Sequence, residues 1–126
     1  MRPINVVLAY RDPVIPERFV GLISKQFHNF ATAHNAGEVR AAVARLGAGL
    51  AIVDLELIHF PELGELCHDF PTTAFVCTHR LADDAMWSQS LAVGAVDCCL
   101  AGDLPKILLA SERYVAIKEA QTPTAA

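Results

Sequence analysis

Five short apolar runs, set at nearly even intervals, constrain this chain more than any other feature. They are Val6-Val7-Leu8-Ala9, Phe27 to Ala33, Leu50-Ala51-Ile52-Val53, Ala74-Phe75-Val76-Cys77 and Val96-Asp97-Cys98-Cys99-Leu100. Their centres lie roughly 22 residues apart, about one strand plus one helix. Strands alternating with helical segments predict a parallel sheet, and uninterrupted apolar runs suit strands covered on both faces. In the second run His28, Asn29 and Thr32 break up the apolar residues, which predicts an edge strand. A leucine-rich repeat would share this period, but its Leu-x-x-Leu-x-Leu pattern is missing.

The intervening segments carry apolar residues at helical spacing. Pro13 to Gln26 has Ile15, Phe19, Leu22 and Ile23, with Asp12 placed to cap it and Pro13 at the first helical position. Ala36 to Leu46 has Val39, Val43 and Leu46 and stops at Gly47. Pro61 to Asp69 is short. Asp83 to Val93 has Trp87 and Leu91 and ends at Gly94, and Leu104 to Glu119 has Leu104, Leu108 and Val115. Five such βα units predict a doubly wound five-stranded parallel sheet of order 2-1-3-4-5, with the second strand on an edge.

With 126 residues, the chain has the length of one domain. Residues 1–120 are expected to form it, and 121–126 are read as a disordered end or the start of a linker. Hydrophobic residues are 53% of the chain and charged residues 19%, which is a globular composition. The net charge of −4 and the absence of a Lys/Arg-rich run exclude a nucleic-acid footprint. No apolar stretch is long enough to span a bilayer, and no signal-peptide cleavage pattern follows Met1 to Asn5. The four cysteines, Cys67, Cys77, Cys98 and Cys99, form no C-x-x-C motif. They are expected as reduced thiols in a cytoplasmic protein. Cys98 and Cys99 are neighbours on a strand and should point to opposite faces.

In an open α/β sheet, function sits outside the carboxyl ends of the strands, at the switch in strand order. Three segments reach that point: Tyr10-Arg11-Asp12, Asp54-Leu55-Glu56 and Thr78-His79-Arg80. Asp54 directly follows a buried strand; by position alone it reads equally as a functional carboxylate or as a loop or cap residue. Tyr10-Arg11-Asp12-Pro13 is not a glycine-rich phosphate loop, which argues against a nucleotide-binding enzyme.

Leu50-Ala51-Ile52-Val53-Asp54-Leu55 resembles the phosphoacceptor strand of response-regulator receiver domains. Thr78 stands where that family places Ser or Thr, and Gly94-Ala95-Val96-Asp97 resembles the Gly-Ala-x-Asp leading into its fifth strand. The resemblance spans roughly residues 4 to 118, at the spacing of alternating strands and helices. It implies a flavodoxin-like (βα)5 fold and a role in two-component signalling, with Asp54 as the phosphoacceptor-like residue. It also implies a signalling protein as partner, a histidine kinase among the candidates, and pairing of copies through the fourth and fifth helical segments.

Four features depart from that pattern, and each is chemical. Receivers close the first strand with two acids that hold Mg²⁺; here Tyr10 and Arg11 stand there, with Asp12 following. The Lys-Pro after the fifth strand is replaced by Ala101-Gly102, and the aromatic switch position of that strand by Cys98. Bulk at His79 replaces a small residue beside the phosphoryl site. Phosphoryl transfer to a carboxylate depends on neutralising and positioning the group, and Mg²⁺ needs hard oxygen ligands. The substitutions therefore predict a pocket poor in both, with no resident cofactor; Mg²⁺ belongs only to the alternative, a receiver still phosphorylated on Asp54. The expectation is a non-enzymatic module signalling by protein contact. A guanidinium can replace metal charge beside a carboxylate, so Arg11 is expected either to pair with Asp54 or to point to solvent. His59, Cys67 and His68 lie close in sequence but do not make a metal set. The partner face implied by the resemblance would carry Met86, Trp87, Cys98 and Tyr114, with one of Met86 and Trp87 given over to core packing.

Overall fold

In the computed structural model, the described residues are 4–11, 27–81 and 83–121. Asp12 and the expected first helix, 13–26, lie outside them. Each apolar run forms a strand: β1 (Ile4–Ala9), β2 (Phe27–Thr32), β3 (Leu50–Asp54), β4 (Ala74–His79) and β5 (Asp97–Leu100). Among the described residues, four helices follow β2, β3, β4 and β5 in turn: α1 (Ala36–Leu46), α2 (Phe60–Asp69), α3 (Asp84–Ala92) and α4 (Leu104–Gln121). All strands are parallel, in the order β2-β1-β3-β4-β5. The interrupted second run is an edge strand, as its polarity predicts, and β3, whose five residues are all buried, is central.

Strand alternation divides the core into two clusters. Val7, Ala9, Ala51, Val53, Phe75, Cys77 and Cys98 face one side, packed with Val39 and Val43 of α1 and Leu63 and Leu66 of α2. Met86 and Val93, at α3, close the same side. Val6, Leu8, Leu50, Ile52, Val76 and Cys99 face the other, against Leu104, Ile107 and Val115 of α4. Fully burying such an aliphatic side chain stabilises the fold by about 1.5–3 kcal/mol. Cys98 and Cys99 fall in different clusters, and all four thiols are free. Burial pushes the Cys99 thiol up to about 12, far from the range in which a thiolate reacts.

Local signals set the helix boundaries. Asn35 caps α1 by accepting from the Glu38 N–H at 2.8 Å, and Gly47 ends it at φ 58°, a conformation that suits glycine. Asp83 caps α3 by accepting from the Met86 N–H at 2.9 Å. Gly94, at φ 110°, lets the chain turn from α3 toward β5; a Cβ there would approach the Cβ of Cys67 to 2.8 Å.

Candidate functional site at the carboxyl ends of β1, β3 and β4

The sheet order brings the ends of three consecutive strands side by side, with β3 in the middle. Asp54 is the last residue of β3 and pairs in register with Thr78 of β4. Tyr10 follows β1. Tyr10 lies in the cluster on the α4 side, and by strand alternation Asp54 and Thr78 project to that side too.

Asp54 is buried, and its surroundings are tightly held. The Glu56 N–H donates to its Oδ1 at 2.9 Å. The N–H groups of Leu57 and Ile58 both donate to its carbonyl at 2.9 Å, and the Leu55 N–H donates to the Thr78 carbonyl at 2.8 Å. Burial raises the pKa of Asp54 above its ordinary value, and the nearby Glu56 charge raises it further. The backbone N–H groups of Glu56 and Arg11, and the ring of His79, oppose the rise.

On the neighbouring strands lie two buried hydroxyls, Tyr10 Oη and Thr78 Oγ1, neither with a hydrogen-bond partner among the described residues. The two are close enough for Thr78 to offset part of the burial that raises the Tyr10 pKa, yet no hydrogen bond of proper geometry joins them. Buried polar groups in folded proteins are nearly always paired, so two orphans in one pocket mark a site where structure alone does not set the chemistry.

Above Asp54 the mouth is closed by charge. Glu56, two residues past Asp54, is bracketed from both neighbouring strands. The Arg80 Nε lies 2.8 Å from its Oε1, the His79 Nε2 lies 3.7 Å from the same oxygen, and the Arg11 guanidinium lies 3.6 Å from its Oε2. The Leu81 N–H donates to His79 Nδ1 at 3.0 Å. In the neutral ring, accepting at Nδ1 places the proton on Nε2, facing Glu56.

Arg11 therefore reaches neither solvent alone nor Asp54: the expected pairing of its guanidinium with Asp54 is replaced by an ion pair with Glu56. The reason is positional. Glu56 stands at the mouth, whereas Asp54 is recessed and met there by the Arg11 backbone. Among the residues expected at the pocket, Tyr10, Arg11, Asp54, Thr78 and His79 come together. Ala101 adjoins His79, donating its N–H to the His79 carbonyl at 3.2 Å, and brings no cation. Asp12 lies outside the described residues. Glu56 and Arg80 carry the mouth without having been singled out from sequence. Their signal was present, since each lies two residues past a member of the Asp54–Thr78 register pair, with opposite charges.

Among the described residues, Mg²⁺, which the receiver resemblance implies, finds a poor donor set. It takes hard oxygens in octahedral array, and the mouth offers the Asp54 and Glu56 carboxylates, the latter already held by two guanidiniums. Tyr10, after β1, offers a buried phenol rather than a carboxylate. Among the described residues no three His, Cys, Asp or Glu side chains converge as a metal set.

The face expected to meet partners is only partly exposed. Trp87 is 46% exposed and donates its indole N–H to Asp97 Oδ1 at 3.1 Å. Met86 is partly buried and packs against the core. Tyr114 is partly buried beside Val115, with the Arg113 guanidinium over its ring at 5.5 Å. Cys98 does not belong to this surface: it is 6% exposed, because its place on β5 points it into the core beneath α3. Leu100, next but one along the strand, is exposed instead. Among the described residues no helix is long and apolar enough to cross a membrane.

No protein-family model matches the chain, and no curated protein matches it. Solved structures do. The chain superposes on NtrX from Brucella abortus, crystallised with ADP, with a TM-score of 0.82 at 18% identity, covering 95% of this chain and 28% of that one. A CheY-like receiver domain protein from Methanospirillum hungatei JF-1 gives a TM-score of 0.80 at 17% identity, covering 96% of this chain and 100% of its own. A response regulator from Thermotoga maritima gives 0.80 at 20% identity, covering 91% of this chain and 99% of its own. Such identities speak for architecture, and the architecture of this chain is that of a response-regulator receiver domain.

Proposed function

We propose that this chain is a receiver-type module of a two-component or phosphorelay system that signals through protein contact, without phosphorylation of Asp54. One observation carries the reading: Glu56, held between the Arg11 and Arg80 guanidiniums with the His79 ring beside it, fills the mouth above Asp54. An incoming phosphodonor would have to displace this set and, among the described residues, would meet neither a metal site nor a cation from the end of β5. Phosphoryl transfer is catalysed mainly by positioning and charge neutralisation, and the pocket supplies little of either to an attacking Asp54.

The partner is a signalling protein, a histidine kinase being the candidate that the fold suggests. The contact surface proposed is the β5 edge, where α3 and α4 flank the strand and Trp87, Leu100 and Tyr114 are at least partly exposed. Exposed aromatic residues are frequent anchors at such contacts. Pairing of copies through α3 and α4 belongs to the same proposal, as does a cytoplasmic setting.

Intact mass after incubation with acetyl phosphate, over a range of Mg²⁺ concentrations, tests the reading. No added mass is expected. One phosphoryl group on the native chain, absent from Asp54→Asn, would make this a working phosphoreceiver and overturn the proposal.

A further inference from the structure

β4 and β5 set two thiols opposite each other. Cys77 and Cys98 are partners in the parallel register of the two strands. Neighbouring strands lie about 4.7–4.9 Å apart, and a disulfide joins Cα atoms about 4.4–6.8 Å apart. The backbone spacing therefore admits a bond between them without moving either strand. Direction agrees with spacing, since both side chains fall in the same core cluster, on the side that α3 closes.

A third residue brings the two sulfurs together. Ser90, the buried residue of α3, donates its hydroxyl to the Met86 carbonyl at 2.8 Å. Burial raises the pKa of both thiols, and the Ser90 hydroxyl is close enough to each sulfur to oppose that rise. One oxygen within reach of both sulfurs confines them to one small volume. The other two cysteines stand elsewhere. Cys99 is in register with Thr78 and faces the α4 side. Cys67 lies on α2, against Gly94.

The cover over the pair is lightly held. Apart from Ser90, α3 buries no residue fully, and Met86 and Val93 pack on the core while only partly buried. Elements with few buried apolar contacts open locally at low cost in free energy. Beneath α3, Cys77 is wholly buried in the inner strand β4, whereas Cys98 lies on β5, at the end of the sheet order, and is 6% exposed.

We propose that Cys77 and Cys98 form a redox-modification site, a dithiol that hydrogen peroxide converts into a cross-strand disulfide when α3 lifts. The Cys98 thiolate attacks the peroxide O–O bond. That bond breaks, a sulfenic acid forms, and the leaving hydroxide takes up the thiol proton as water. The Cys77 sulfur then attacks the sulfenic sulfur; the S–O bond breaks, the S–S bond forms, and a second water leaves. Two thiols and one peroxide thus yield one disulfide and two waters, the sulfurs giving up the two electrons that the peroxide gains. The pair faces the opposite side of the sheet from Asp54 and Thr78, so this chemistry is independent of phosphorylation.

The test treats the full chain, at low protein concentration, with hydrogen peroxide. It is then denatured, its remaining thiols are blocked with N-ethylmaleimide, and its mass is measured intact and after digestion. The native chain carries four free thiols. Oxidation is expected to remove two of them from alkylation and to join Cys77 and Cys98 in one linked peptide; dithiothreitol is expected to restore all four. Cys77→Ala and Cys98→Ala are each expected to abolish the loss, and a chain with both Cys67→Ala and Cys99→Ala to retain it. Asp83→Ala, which removes the N-cap of α3, is expected to speed formation of the bond about fivefold. Mapping the link in the native chain requires no variant to fold. Four alkylated thiols after peroxide would overturn the proposal. So would a link to Cys67 or Cys99, a bond formed only between chains, or sulfinic acid at Cys98 in place of the link. A rate unmoved by Asp83→Ala would overturn the gating by α3.

Discussion

β4 carries a buried threonine near each end, and the two live in different circumstances. Thr73, immediately before the strand, donates its hydroxyl to the Ala48 carbonyl at 2.7 Å. Thr78, near the other end, is more deeply buried and donates to nothing among the described residues. The same contrast runs along the whole sheet. At the amino ends of the strands Asn5 bonds the Leu46 carbonyl at 2.6 Å. At the carboxyl ends Tyr10 and Thr78 are orphans beside a carboxyl group whose pKa is raised. One end of the sheet spends its polar groups on stability. The other leaves two buried hydroxyls without a partner among the described residues, and unsatisfied polar groups concentrated at one place are the mark of a functional site.

Substitutions at the two ends sharpen this contrast. The largest effect is expected from Thr73→Val, which leaves Ala48 short of a donor and should cost about 1–3 kcal/mol in urea denaturation. Thr78→Val removes an unpaired hydroxyl at equal volume and should stabilise the fold by about 1 kcal/mol, with Tyr10→Phe acting in the same direction. If Thr78→Val instead destabilises as much as Thr73→Val, the hydroxyl has a partner in solution and the contrast fails.

Asp54→Asn should give a smaller gain that depends on pH. The native Asp54 has a raised pKa, so above its ordinary value of 3.8 the folded state holds a proton that the unfolded chain has released. Native stability therefore falls as pH rises through that window, until the raised pKa is passed. The asparagine variant escapes this penalty. Its melting temperature should exceed that of the native chain at neutral pH, and the difference should vanish below the ordinary carboxylate value. A gain independent of pH would place its origin outside the titration of Asp54. The smallest effect belongs to Arg11→Ala. An exposed pair at 3.6 Å contributes about 0–0.5 kcal/mol, and less in high salt.

The sheet was legible in the sequence because strands buried on both faces must be apolar throughout, and five such runs at even spacing admit few topologies. The polarity of Phe27 to Thr32 even located an edge. Asp54, Thr78 and His79 were legible as a group, since strand ends converge at the switch point whatever the side chains do. The pairing of Arg11 was not. Whether a long guanidinium reaches Asp54 or Glu56 depends on how deeply each carboxylate is set, and depth is fixed by the turn at Leu55 to Ile58. Cys98 was placed on the surface by its likeness to a switch position, yet β5 is covered on both faces there, and Cys98 and Cys99 are both buried, in different core clusters.

Trp87 is the sole tryptophan of the chain, and its half-exposed indole is tied to Asp97, at the start of β5. Its emission is thus an intrinsic optical probe of the α3–β5 surface, requiring no label. A partner covering that surface would move the indole from water into an apolar setting and shift its emission to the blue. Breaking the Glu56–Arg80 ion pair by Arg80→Ala would leave the spectrum unchanged unless the two places communicate. A single fluorescence comparison can therefore reveal whether this sheet links its charged mouth to its flank.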